Sequence, residues 1–369
     1  MIFSNDYSGR RVLVTGHTGF KGSWLSSWLL HLGAELCGLS LDIPSTPSNF
    51  EVLGLEKRMR HHLCDVRDIR RMAEIIKEFR PEIVFHLAAQ PLVRRSYADP
   101  LTTFTTNTIG TLNVLECIRH EESIRAAVIV TSDKCYRNSE WIWGYRENDI
   151  LGGEDPYSAS KGCAELVAFS YMNSYFKLQT NGPLVATARA GNVIGGGDWA
   201  EDRIVPDCMK SWAKGTTVSV RNPKSTRPWQ HVMEPLSGYL KLGSELWKRS
   251  PGISGSSYNF GPDATVNHSV VTLIKALSSY WPNAKYSIEP QVRSDKPEAQ
   301  LLKLCCDKAL AELKWSAVLS FQETVKLTGD WYHQFLTFPG TDMNDFTMKQ
   351  IEAYCTCARN KDLGWAGDE

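Results

Sequence analysis

The sequence predicts an α/β fold in which a doubly wound parallel sheet is joined to a smaller mixed α/β domain. Three features of the chain support this prediction. Short β-branched apolar runs alternate with helix-period stretches through the first 190 residues, which is the pattern of βαβ units. A glycine-rich turn follows the first of these runs. After Gly195 the alternation gives way to segments rich in glycine, aspartate and proline, which are typical of turns and shorter elements.

The predicted strands and helices alternate along the first half of the chain. The strands are Arg11–Thr15, Glu35–Leu41, Arg60–Cys64, Ile83–Leu87, Ala126–Thr131 and Leu184–Arg189. The helices are Lys21–Leu32, Asp68–Phe79, Thr102–His120 and Pro156–Phe176. We expect a first domain over residues 1–190, with the chain crossing back near 215–260, a second domain over 191–340, and a weakly patterned C-terminal tail over 341–369.

Composition excludes several classes of partner. In 369 residues, 41 Lys and Arg balance 41 Asp and Glu, so no electrostatic footprint for nucleic acid or an anionic membrane is present. The longest apolar runs, such as Ala126–Val130, are too short to span a bilayer. The first eleven residues are polar and charged rather than a signal peptide, which predicts a cytoplasmic protein. Small ligands and protein partners remain.

Ten cysteines are scattered along the chain without paired CxxC motifs or a Cys/His cluster. The spacing therefore predicts neither a metal site nor a disulfide framework, and most of the thiols are expected to be reduced core residues. Cys355 and Cys357 form either a redox or metal pair or a packed or solvated terminal pair, and the second interpretation is the simpler one.

A glycine-rich turn lies between the first predicted strand and the first predicted helix. It is Gly16-His17-Thr18-Gly19-Phe20-Lys21-Gly22. Glycines at these three positions allow a tight turn, a close approach of backbone N–H groups to a pyrophosphate, and close packing of helix on strand. The turn therefore predicts a dinucleotide site. His17 and Lys21 are unusual here, and each is open to two interpretations: contact with phosphate, or exposure to solvent.

Three loops at predicted strand ends are candidates for further contacts with the dinucleotide. Asp42 is placed to accept the ribose hydroxyls, and because no arginine adjoins it, NAD rather than NADP is the expected cofactor. Asp65-Val66 either edges the adenine or caps the third strand. Ala88-Ala89-Gln90 either passes near the cofactor or packs closely through its small residues.

A second group of candidate residues lies just upstream of and within the fourth predicted helix. It is Asp155-Pro156-Tyr157-Ser158-Ala159-Ser160-Lys161. Asp155 predicts the N-cap and Pro156 the first helical position, so Tyr157 and Lys161 share one helix face one turn apart. An ammonium at that spacing lowers the pKa of the phenol and makes it a usable base for a hydroxyl. This spacing also occurs by chance, but with the glycine turn upstream and Thr131-Ser132-Asp133-Lys134 closing the fifth strand it predicts a catalytic pair.

Together these motifs resemble the extended short-chain dehydrogenase/reductase family, notably its nucleotide-sugar epimerases and dehydratases. The resemblance covers roughly residues 10–335. Longer segments are similar to dehydratases of CDP-sugars, at residues 16–25, 86–94, 131–136, 189–199 and 227–232. The resemblance implies a Rossmann-type domain that binds NAD, a second domain that binds substrate, and a homodimer or homotetramer formed partly through Thr102–His120 and Pro156–Phe176.

The resemblance also implies an activity, that of an NAD-dependent lyase converting CDP-D-glucose to CDP-4-keto-6-deoxy-D-glucose and water. Tyr157 would take the proton of the sugar 4-hydroxyl while hydride passes to NAD⁺, with Lys161 on the nicotinamide ribose and Ser132 on that hydroxyl. Asp133 matches the acid that protonates the departing C6 hydroxyl. Lys134 replaces the glutamate base of dTDP-glucose relatives, and it would be either the C5 base or a cation that stabilises the enolate.

The same resemblance places further residues at the substrate. Arg203 and Arg227 match positions that contact the nucleotide, where an arginine fork suits phosphate oxygens; for Arg203, exposure to solvent is an equal alternative. The remaining implied contacts come from Asn192 to the diphosphate, Arg94 and Tyr97 to the sugar, and Glu298 to the nucleotide ribose. After Glu298 the sequence departs from the family pattern, with Gln300-Leu301 in place of a histidine and aromatic pair.

Two alternatives remain for the activity. One is a 4,6-dehydratase or 4-epimerase for another nucleotide sugar, although an epimerase has no use for an acid and base such as Asp133 and Lys134. The other is a non-catalytic Rossmann protein that senses NAD(H), which has no use for Tyr157 and Lys161. The family further implies a role in deoxysugar biosynthesis for a bacterial surface polysaccharide such as a lipopolysaccharide O-antigen.

Overall fold

The computed structural model describes residues 2–179, 181–220, 222–263, 266–288 and 301–367. Its strands are β1 Arg11–Thr15, β2 Glu35–Ser40, β3 Arg60–Leu63, β4 Ile83–His86, β5 Ala126–Val130, β6 Leu184–Ala190, β7 Val193–Ile194, β8 Thr217–Val220, β9 Thr226–Arg227, β10 Gln230–His231, β11 Ser257–Phe260, β12 His268–Ser269 and β13 Lys285–Ile288. Its helices are α1 Phe20–His31, α2 Asn49–Val52, α3 Ile69–Phe79, α4 Val93–Ala98, α5 Pro100–Phe104, α6 Gly110–His120, α7 Pro156–Ser174, α8 Ile204–Ala213, α9 Met233–Trp247, α10 Val270–Ser278, α11 Asp307–Leu313, α12 Phe321–Thr337 and α13 Met343–Asn360. Each predicted strand begins at the expected residue and ends within one residue of the expected end. Within the described ranges, no helix combines the length and the apolar character that a membrane crossing requires.

Seven strands of the described residues form one parallel sheet in the order β11-β6-β5-β4-β1-β2-β3. Val12 and Val14 of β1 enter the core on one face, whereas Leu13 enters the core on the other, so the sheet is covered on both sides. The strand order reverses between β1 and β4, where Thr15 pairs with His86. Ligands of doubly wound sheets bind at the carboxyl edge beside such a reversal. The predicted doubly wound α/β fold is confirmed.

The second half of the chain divides its elements between the sheet and a smaller region. Strand β11 pairs in parallel with β6 and extends the main sheet. Three two-stranded sheets of the described residues, β7 with β10, β8 with β13 and β9 with β12, mix parallel and antiparallel pairing. This region, with α8, α10 and α12, lies beside the carboxyl edge of the sheet and corresponds to the expected smaller mixed α/β part.

The single helix predicted over Thr102–His120 is interrupted. A π-helical turn over Thr105–Ile109 separates α5 from α6. Asn107 of this turn is buried and donates to the Gln90 carbonyl at 3.2 Å and to Ser160 Oγ at 2.9 Å. The wider turn lets the Asn107 amide connect the loop after β4 to α7. A local helical pattern in the sequence does not predict these long-range hydrogen bonds.

The C-terminal segment is a helix where the sequence predicted a weakly patterned tail. Helix α13 begins at the N-cap Asp342, and the following Trp365 stacks on Phe3 with ring centroids 5.1 Å apart. Tyr354 of α13 donates to Glu234 of α9 at 2.8 Å. Glu234 also accepts backbone N–H groups from the segment before α12, at 2.6 to 3.0 Å. The segment therefore closes the core behind α1 and α9.

Glu234 gives the protein a pH-dependent stability. Burial raises the pKa of this carboxyl to about 7. The backbone N–H donors and Tyr354 lower the pKa, but burial outweighs them. A carboxyl whose pKa is raised by folding contributes stability below its unfolded pKa, and this contribution is lost as the pH rises through about 7. Between pH 5 and pH 8, the wild type is expected to lose about 2 kcal/mol of unfolding free energy relative to Glu234→Gln. Urea unfolding of both proteins measures the difference, and an equal difference at the two pH values contradicts the prediction.

Candidate active site

The glycine-rich turn joins β1 to α1 at the point where the strand order reverses. Gly16 has φ +77°, and a Cβ there would lie 2.8 Å from the Ala88 backbone nitrogen. A Cβ on Gly22 would lie 2.0 Å from the Gly16 carbonyl oxygen. Both positions require glycine so that α1 and the loop after β4 can pack closely against the turn.

Gly19 is different, because the packing of the protein does not require a glycine there. It has φ −71°, which any residue adopts, and an added Cβ would touch only the Gly16 oxygen, at 3.4 Å. The first N–H groups of α1 have no carbonyl partner within the helix. The missing side chain leaves them accessible to an anion, so the turn fits the pyrophosphate of a dinucleotide.

His17 lies where neither of its two interpretations placed it. The ring is fully buried beneath the turn, with Nε2 2.7 Å from His61 Nδ1 and Nδ1 2.9 Å from Ser40 Oγ. Burial and the neighbouring His61 lower the pKa of His17 to about 3. Because both ring nitrogens have partners inside the protein, the expectation of phosphate contact or solvent exposure is wrong for this side chain.

Lys21 is also turned inward rather than into solvent. The residue is half-buried, and its Nζ lies 3.5 Å from the Tyr239 hydroxyl of α9. Burial and the nearby Arg203 lower the pKa of Lys21 to about 8, while Asp133 opposes them. The side chain therefore joins the groups at the end of β5 and leaves the phosphate turn to the backbone.

The other residues of the turn connect it to its surroundings. Thr18 donates from its backbone to Ser40 Oγ at 3.2 Å and from its hydroxyl to the Asp42 carbonyl at 2.6 Å. The Asp42 side chain is exposed at the end of β2, where the sequence placed the ribose hydroxyls. The ring of Phe20 points toward Gly195, where an added Cβ would lie 3.2 Å from it. The turn is thus fixed to β2 while Asp42 stays accessible.

The loops after β3 and β4 are held mainly by internal contacts. Asp65 pairs with the Arg67 guanidinium at 2.6 Å, and Val66 is buried beneath Gly110, where a Cβ would lie 2.6 Å from the valine methyl. Ala88 donates to Thr15 Oγ1 at 3.2 Å and, like Ala89, is half-buried.

Gln90 belongs to the packing of the loop rather than to the cofactor site. Its side chain bonds to both backbone groups of Leu92 and to Thr103 Oγ1, at 2.7 to 3.1 Å. Its backbone bonds to the Asn107 amide at 2.8 and 3.2 Å. Since each polar group has a partner within the protein, the contacts favour the alternative interpretation of close packing for Gln90, and its contact with the cofactor stays a prediction.

Helix α7 carries the candidate catalytic pair. It begins as the sequence predicts, with Asp155 Oδ1 accepting the Ser158 N–H at 2.9 Å and proline at the first helical position. Tyr157 and Lys161 are buried one turn apart. Ser132, which follows β5, is near enough to the Tyr157 phenol to lower its pKa. The structure therefore brings together the phenol, the serine and the lysine at the carboxyl edge of the sheet.

The electrostatics of the pair differ from the sequence-based expectation. Burial raises the pKa of Tyr157 to about 12, although the Ser132 hydrogen bond and the charge of Arg203 lower it. Burial also lowers the pKa of Lys161 to about 8, with Glu165 opposing. The expectation that Lys161 holds the phenol at a low pKa is wrong for the protein's own side chains, because desolvation outweighs the cations.

Asp133 and Lys134 occupy a 3₁₀ turn directly after Ser132. Asp133 is buried, and Ser132 Oγ donates to it at 2.9 Å. Burial raises the pKa of Asp133, while the charge of the half-buried Lys134 and the Ser132 hydrogen bond lower it. A Cβ on Gly191 would lie 3.1 Å from the carboxylate, so the absence of a side chain there leaves room beside it. The turn thus places an acid next to a cation, within reach of the Tyr157 site.

Two arginines among the predicted substrate residues are paired with aspartates. Arg203 Nη1 lies 2.8 Å from buried Asp198, and the charge of this carboxylate raises the pKa of Arg203. Arg94 of α4 reaches Asp202 at 2.7 Å. The alternative that Arg203 is merely solvated is wrong, since its charge is held by Asp198 and it acts on Tyr157.

The remaining predicted substrate residues surround the same edge of the sheet. Arg227 of β9 is half-buried and donates to the Thr226 carbonyl at 2.8 Å. Asn192, after β6, and Tyr97, on α4, are exposed. Glu298 lies outside the described residues, so its predicted contact with the ribose stays a prediction.

The sequence reasoning missed two buried charged residues behind Lys161. Glu165, one turn further along α7, makes an ion pair with Arg189 of β6 at 2.7 Å. The signal available in the sequence was the spacing of four residues between Lys161 and Glu165 on the catalytic face. The arginine partner is 24 residues away in sequence, and only the fold places it there.

The fold and the site together define an enzyme that acts on nucleotide sugars. Comparison with known proteins agrees with this class. The sequence profile of the GDP-mannose 4,6 dehydratase family matches residues 13–328. The chain therefore belongs to this family of extended short-chain dehydrogenases/reductases.

Individual relatives are similar over most of the chain. The CDP-glucose 4,6-dehydratase of Salmonella typhimurium is 45% identical over 96% of this chain and 98% of its own. An epimerase from Methanothermobacter thermautotrophicus has the same fold, with TM-score 0.78, 23% identity and coverage of 90% and 94% of the two chains. The Thermus thermophilus UDP-glucose 4-epimerase, solved as a complex with NAD, gives TM-score 0.74 at 25% identity over 88% and 99%.

Proposed function

We propose that the protein is an NAD-dependent lyase that converts CDP-D-glucose to CDP-4-keto-6-deoxy-D-glucose and water. The observation that carries this proposal is the meeting of two pairs of residues at one edge of the sheet. Tyr157 and Lys161 of α7 suit the oxidation of a hydroxyl, whereas Asp133 and Lys134 suit the loss of water. The 45% identical relative named for this reaction supports CDP-glucose as the substrate.

The glycine turn is the proposed site of the NAD pyrophosphate. When bound, NAD⁺ supplies a hydride acceptor and a positive charge beside the buried phenol. The turn leaves the first N–H groups of α1 open to the phosphates, and the exposed Asp42 carboxylate accepts ribose hydroxyls. The NAD complex of the Thermus thermophilus epimerase supports this assignment.

Tyr157 accepts the proton of the sugar 4-hydroxyl as hydride leaves C4, which converts the alcohol to a ketone. Ser132, whose hydroxyl influences the phenol, holds the same hydroxyl of the sugar. Lys161 would donate to the ribose of the nicotinamide when NAD⁺ is bound. Because burial raises the pKa of Tyr157 to about 12, positive charge beside the phenol is what makes it a base near neutral pH.

Asp133 is the acid for the loss of water. The C4 ketone acidifies the C5 proton, so a base removes it while the C6 hydroxyl leaves with a proton from Asp133. The raised pKa of Asp133 keeps its carboxyl protonated to higher pH than an ordinary aspartate, which favours this role. The bound cofactor would supply the hydride that completes the reaction at C6, and a proton at C5 would balance it, so that one water is lost overall.

In its neutral amine form, Lys134 is the C5 base in this proposal, and stabilisation of the enolate by the charged ammonium is the alternative role. Lys134→Met is expected to abolish the entry of solvent deuterium at C5, because methionine cannot accept a proton. NMR of the sugar after incubation in D₂O with NAD⁺ measures the exchange, and fluorescence titration checks that NAD⁺ still binds. Unchanged exchange at C5 would assign the base to another group.

The diphosphate of the substrate is the proposed ligand of Arg203 and Arg227. A guanidinium presents parallel donors that match phosphate oxygens. Asn192 adds a donor for the diphosphate, and Arg94 and Tyr97 line the sugar pocket.

A panel of nucleotide sugars tests the proposed function. The purified protein with NAD⁺ is expected to form a 4-keto product from CDP-glucose, in preference to dTDP-, GDP- and UDP-hexoses. Turnover confined to another nucleotide contradicts the substrate, and inversion at C4 without loss of water identifies an epimerase. Binding of NAD⁺ without turnover of any sugar would instead support a sensor.

We propose that the protein forms a homodimer, or a tetramer built from it, through α5, α6 and α7. Apolar side chains are exposed along these helices: Leu101 74%, Ile109 46%, Leu166 57% and Phe169 61%. Two adjacent helices with one apolar face are self-complementary about a two-fold axis. Phe169→Glu is expected to shift the sedimentation coefficient to that of a monomer. Leu310→Glu on α11, also at an exposed leucine (53%), is the control expected to stay oligomeric; a monomeric wild type contradicts the proposal.

We further propose a cytoplasmic location and two functional regions. All ten cysteines are free thiols, which suits a reducing compartment. Residues 1–190, with the returning α9 and β11, form the NAD-binding region, and residues 191–340 supply most of the substrate contacts. The described part of the C-terminal segment, residues 341–367, then braces the core through α13 rather than serving either ligand.

A further inference from the structure

One helical turn beyond Lys161, α7 carries a buried carboxylate. Glu165 is 2% exposed and accepts hydrogen bonds from Thr187 Oγ1 at 2.9 Å and from Thr131 Oγ1. Arg189 Nη2 lies 2.7 Å from Glu165 Oε2, the oxygen that also accepts from Thr187. Burial raises the pKa of Glu165, but Arg189 and the hydroxyl donors outweigh burial and lower it. The carboxylate is therefore charged, and it ties the catalytic helix to β5 and β6.

Arg189 extends this network to the turn that carries the acid and base. Its Nη1 donates to the Tyr136 hydroxyl at 2.7 Å and to the Glu147 carbonyl at 2.9 Å. Tyr136 directly follows the turn of Asp133 and Lys134. The Tyr136 hydroxyl donates in turn to Asn259 of β11 at 2.8 Å. One buried network thus connects the catalytic helix with the catalytic turn.

Stability alone does not account for such a pair. A buried ion pair is often no more stabilising than apolar residues of the same volume, because two charges must be taken out of water. Glu165 and Arg189 are 2% and 3% exposed at their side chains. A charge kept at this cost, one turn from Lys161, points to an electrostatic task.

Lys161 is surrounded by few groups that can hold its charge. Burial lowers the pKa of Lys161 to about 8, and Glu165 is the first influence that raises it, followed by the Cys135 thiol of the catalytic turn. Lys21 of α1 is a second cation coupled to it. His86 of β4 is kept neutral, because burial lowers its pKa to about 3. Among these groups, Glu165 is the charged carboxylate that favours the ammonium.

We propose that Glu165, oriented by Arg189, is a positioning residue that keeps Lys161 an ammonium and holds the catalytic helix against the catalytic turn. This inference rests on the proposed function, in which the Lys161 ammonium contacts the nicotinamide ribose. Glu165 itself touches neither ligand, and it acts through Lys161.

The test is the pH dependence of Glu165→Gln, which removes the charge and keeps the shape. NAD⁺ affinity is measured by tryptophan fluorescence and kcat/KM by turnover of CDP-glucose, each from pH 6 to pH 10. In the variant, the alkaline loss of both quantities is expected to begin about one pH unit lower than in the wild type, because Lys161 loses its proton earlier. At pH 9 this corresponds to roughly a tenfold loss.

Two further proteins separate this role from a structural one. Glu165→Gln/Arg189→Met removes both charges, so it avoids an unpaired buried arginine and is expected to show the same shift with stability closer to wild type. Glu234→Gln, which alters a buried carboxyl on α9, is expected to leave both alkaline limbs unchanged.

An unshifted alkaline limb in the single variant, or in the double variant if the single one does not fold, overturns the inference. If the wild type does not turn over CDP-glucose, the proposed function fails separately. The NAD⁺ titration then decides the role of Glu165 by itself.

Discussion

Tyr157→Phe is expected to lower kcat for CDP-glucose by about 10³-fold, because only the group that accepts the 4-hydroxyl proton is removed. The ring is buried on a helix whose N-cap and proline are unaffected by the change. The glycine turn and Lys161 also stay in place, so the Kd for NAD⁺ is expected to change little. Product formation and fluorescence titration of NAD⁺ measure the two quantities on the same preparation.

The matched control removes a different phenol from the same helix. Tyr171 donates its hydroxyl to Glu116 at 3.0 Å, far along α7 from the carboxyl edge of the sheet. Tyr171→Phe is expected to keep wild-type turnover. Full activity in Tyr157→Phe would remove the phenol from the reaction, whereas loss of NAD⁺ binding together with turnover would indicate a disrupted site.

Asp133→Asn is expected to lower product formation by about 10²-fold while deuterium still enters C5 of the recovered sugar. The amide keeps an oxygen that accepts the Ser132 hydroxyl, now at 2.9 Å, but it cannot protonate the C6 hydroxyl. Oxidation at C4 and proton removal at C5 therefore continue while the loss of water stops. In the wild type, the rate of water loss is also expected to fall as the pH rises through the raised pKa of Asp133, because the acid form disappears.

Asp133→Asn is expected to keep deuterium exchange at C5, whereas Lys134→Met is expected to lose it. Each of these neighbouring variants therefore serves as the control for the other. Asp330→Asn, at a half-buried aspartate of α12 that pairs with Lys326 far from the site, should change neither quantity. Loss of C5 exchange in Asp133→Asn would move this residue from acid to base.

The sequence was most informative where structure is determined locally. The parallel strands β1, β2, β4, β5 and β6 are buried on both faces, so their apolar runs delimit them to within one residue. The start of α7 followed from an aspartate cap and a proline. The π turn at Thr105–Ile109 escaped prediction because its gain lies in bonds of Asn107 to residues 17 and 53 positions away. The sequence does contain features that indicate helix α13. They are the cap residue Asp342 and apolar positions such as Ile351 and Tyr354 at helical spacing.

In the candidate site too, the features determined locally could be predicted and those determined by distant residues could not. Its glycines, Tyr157, Lys161 and the turn at Asp133 were recognisable as patterns. The orientation of His17 was not, because its partners His61 and Ser40 come from neighbouring strands. The raised pKa of Tyr157 could not be predicted either, since the spacing to a lysine says nothing about how completely the fold desolvates the phenol.

The pairing of Arg94 with Asp202 and of Arg203 with Asp198 changes how the pocket would receive its ligand. Each guanidinium already has a counterion built into the chain, so a substrate anion that bound to these arginines would enter by anion exchange rather than by attraction to bare cations. The binding free energy is then the difference between the free energy of the arginine–ligand ion pair and that of the arginine–aspartate ion pair, and it is smaller than either. Such a pocket rejects weak or ill-fitting anions, which cannot displace a tethered carboxylate, and it favours ligands that satisfy several donors at once.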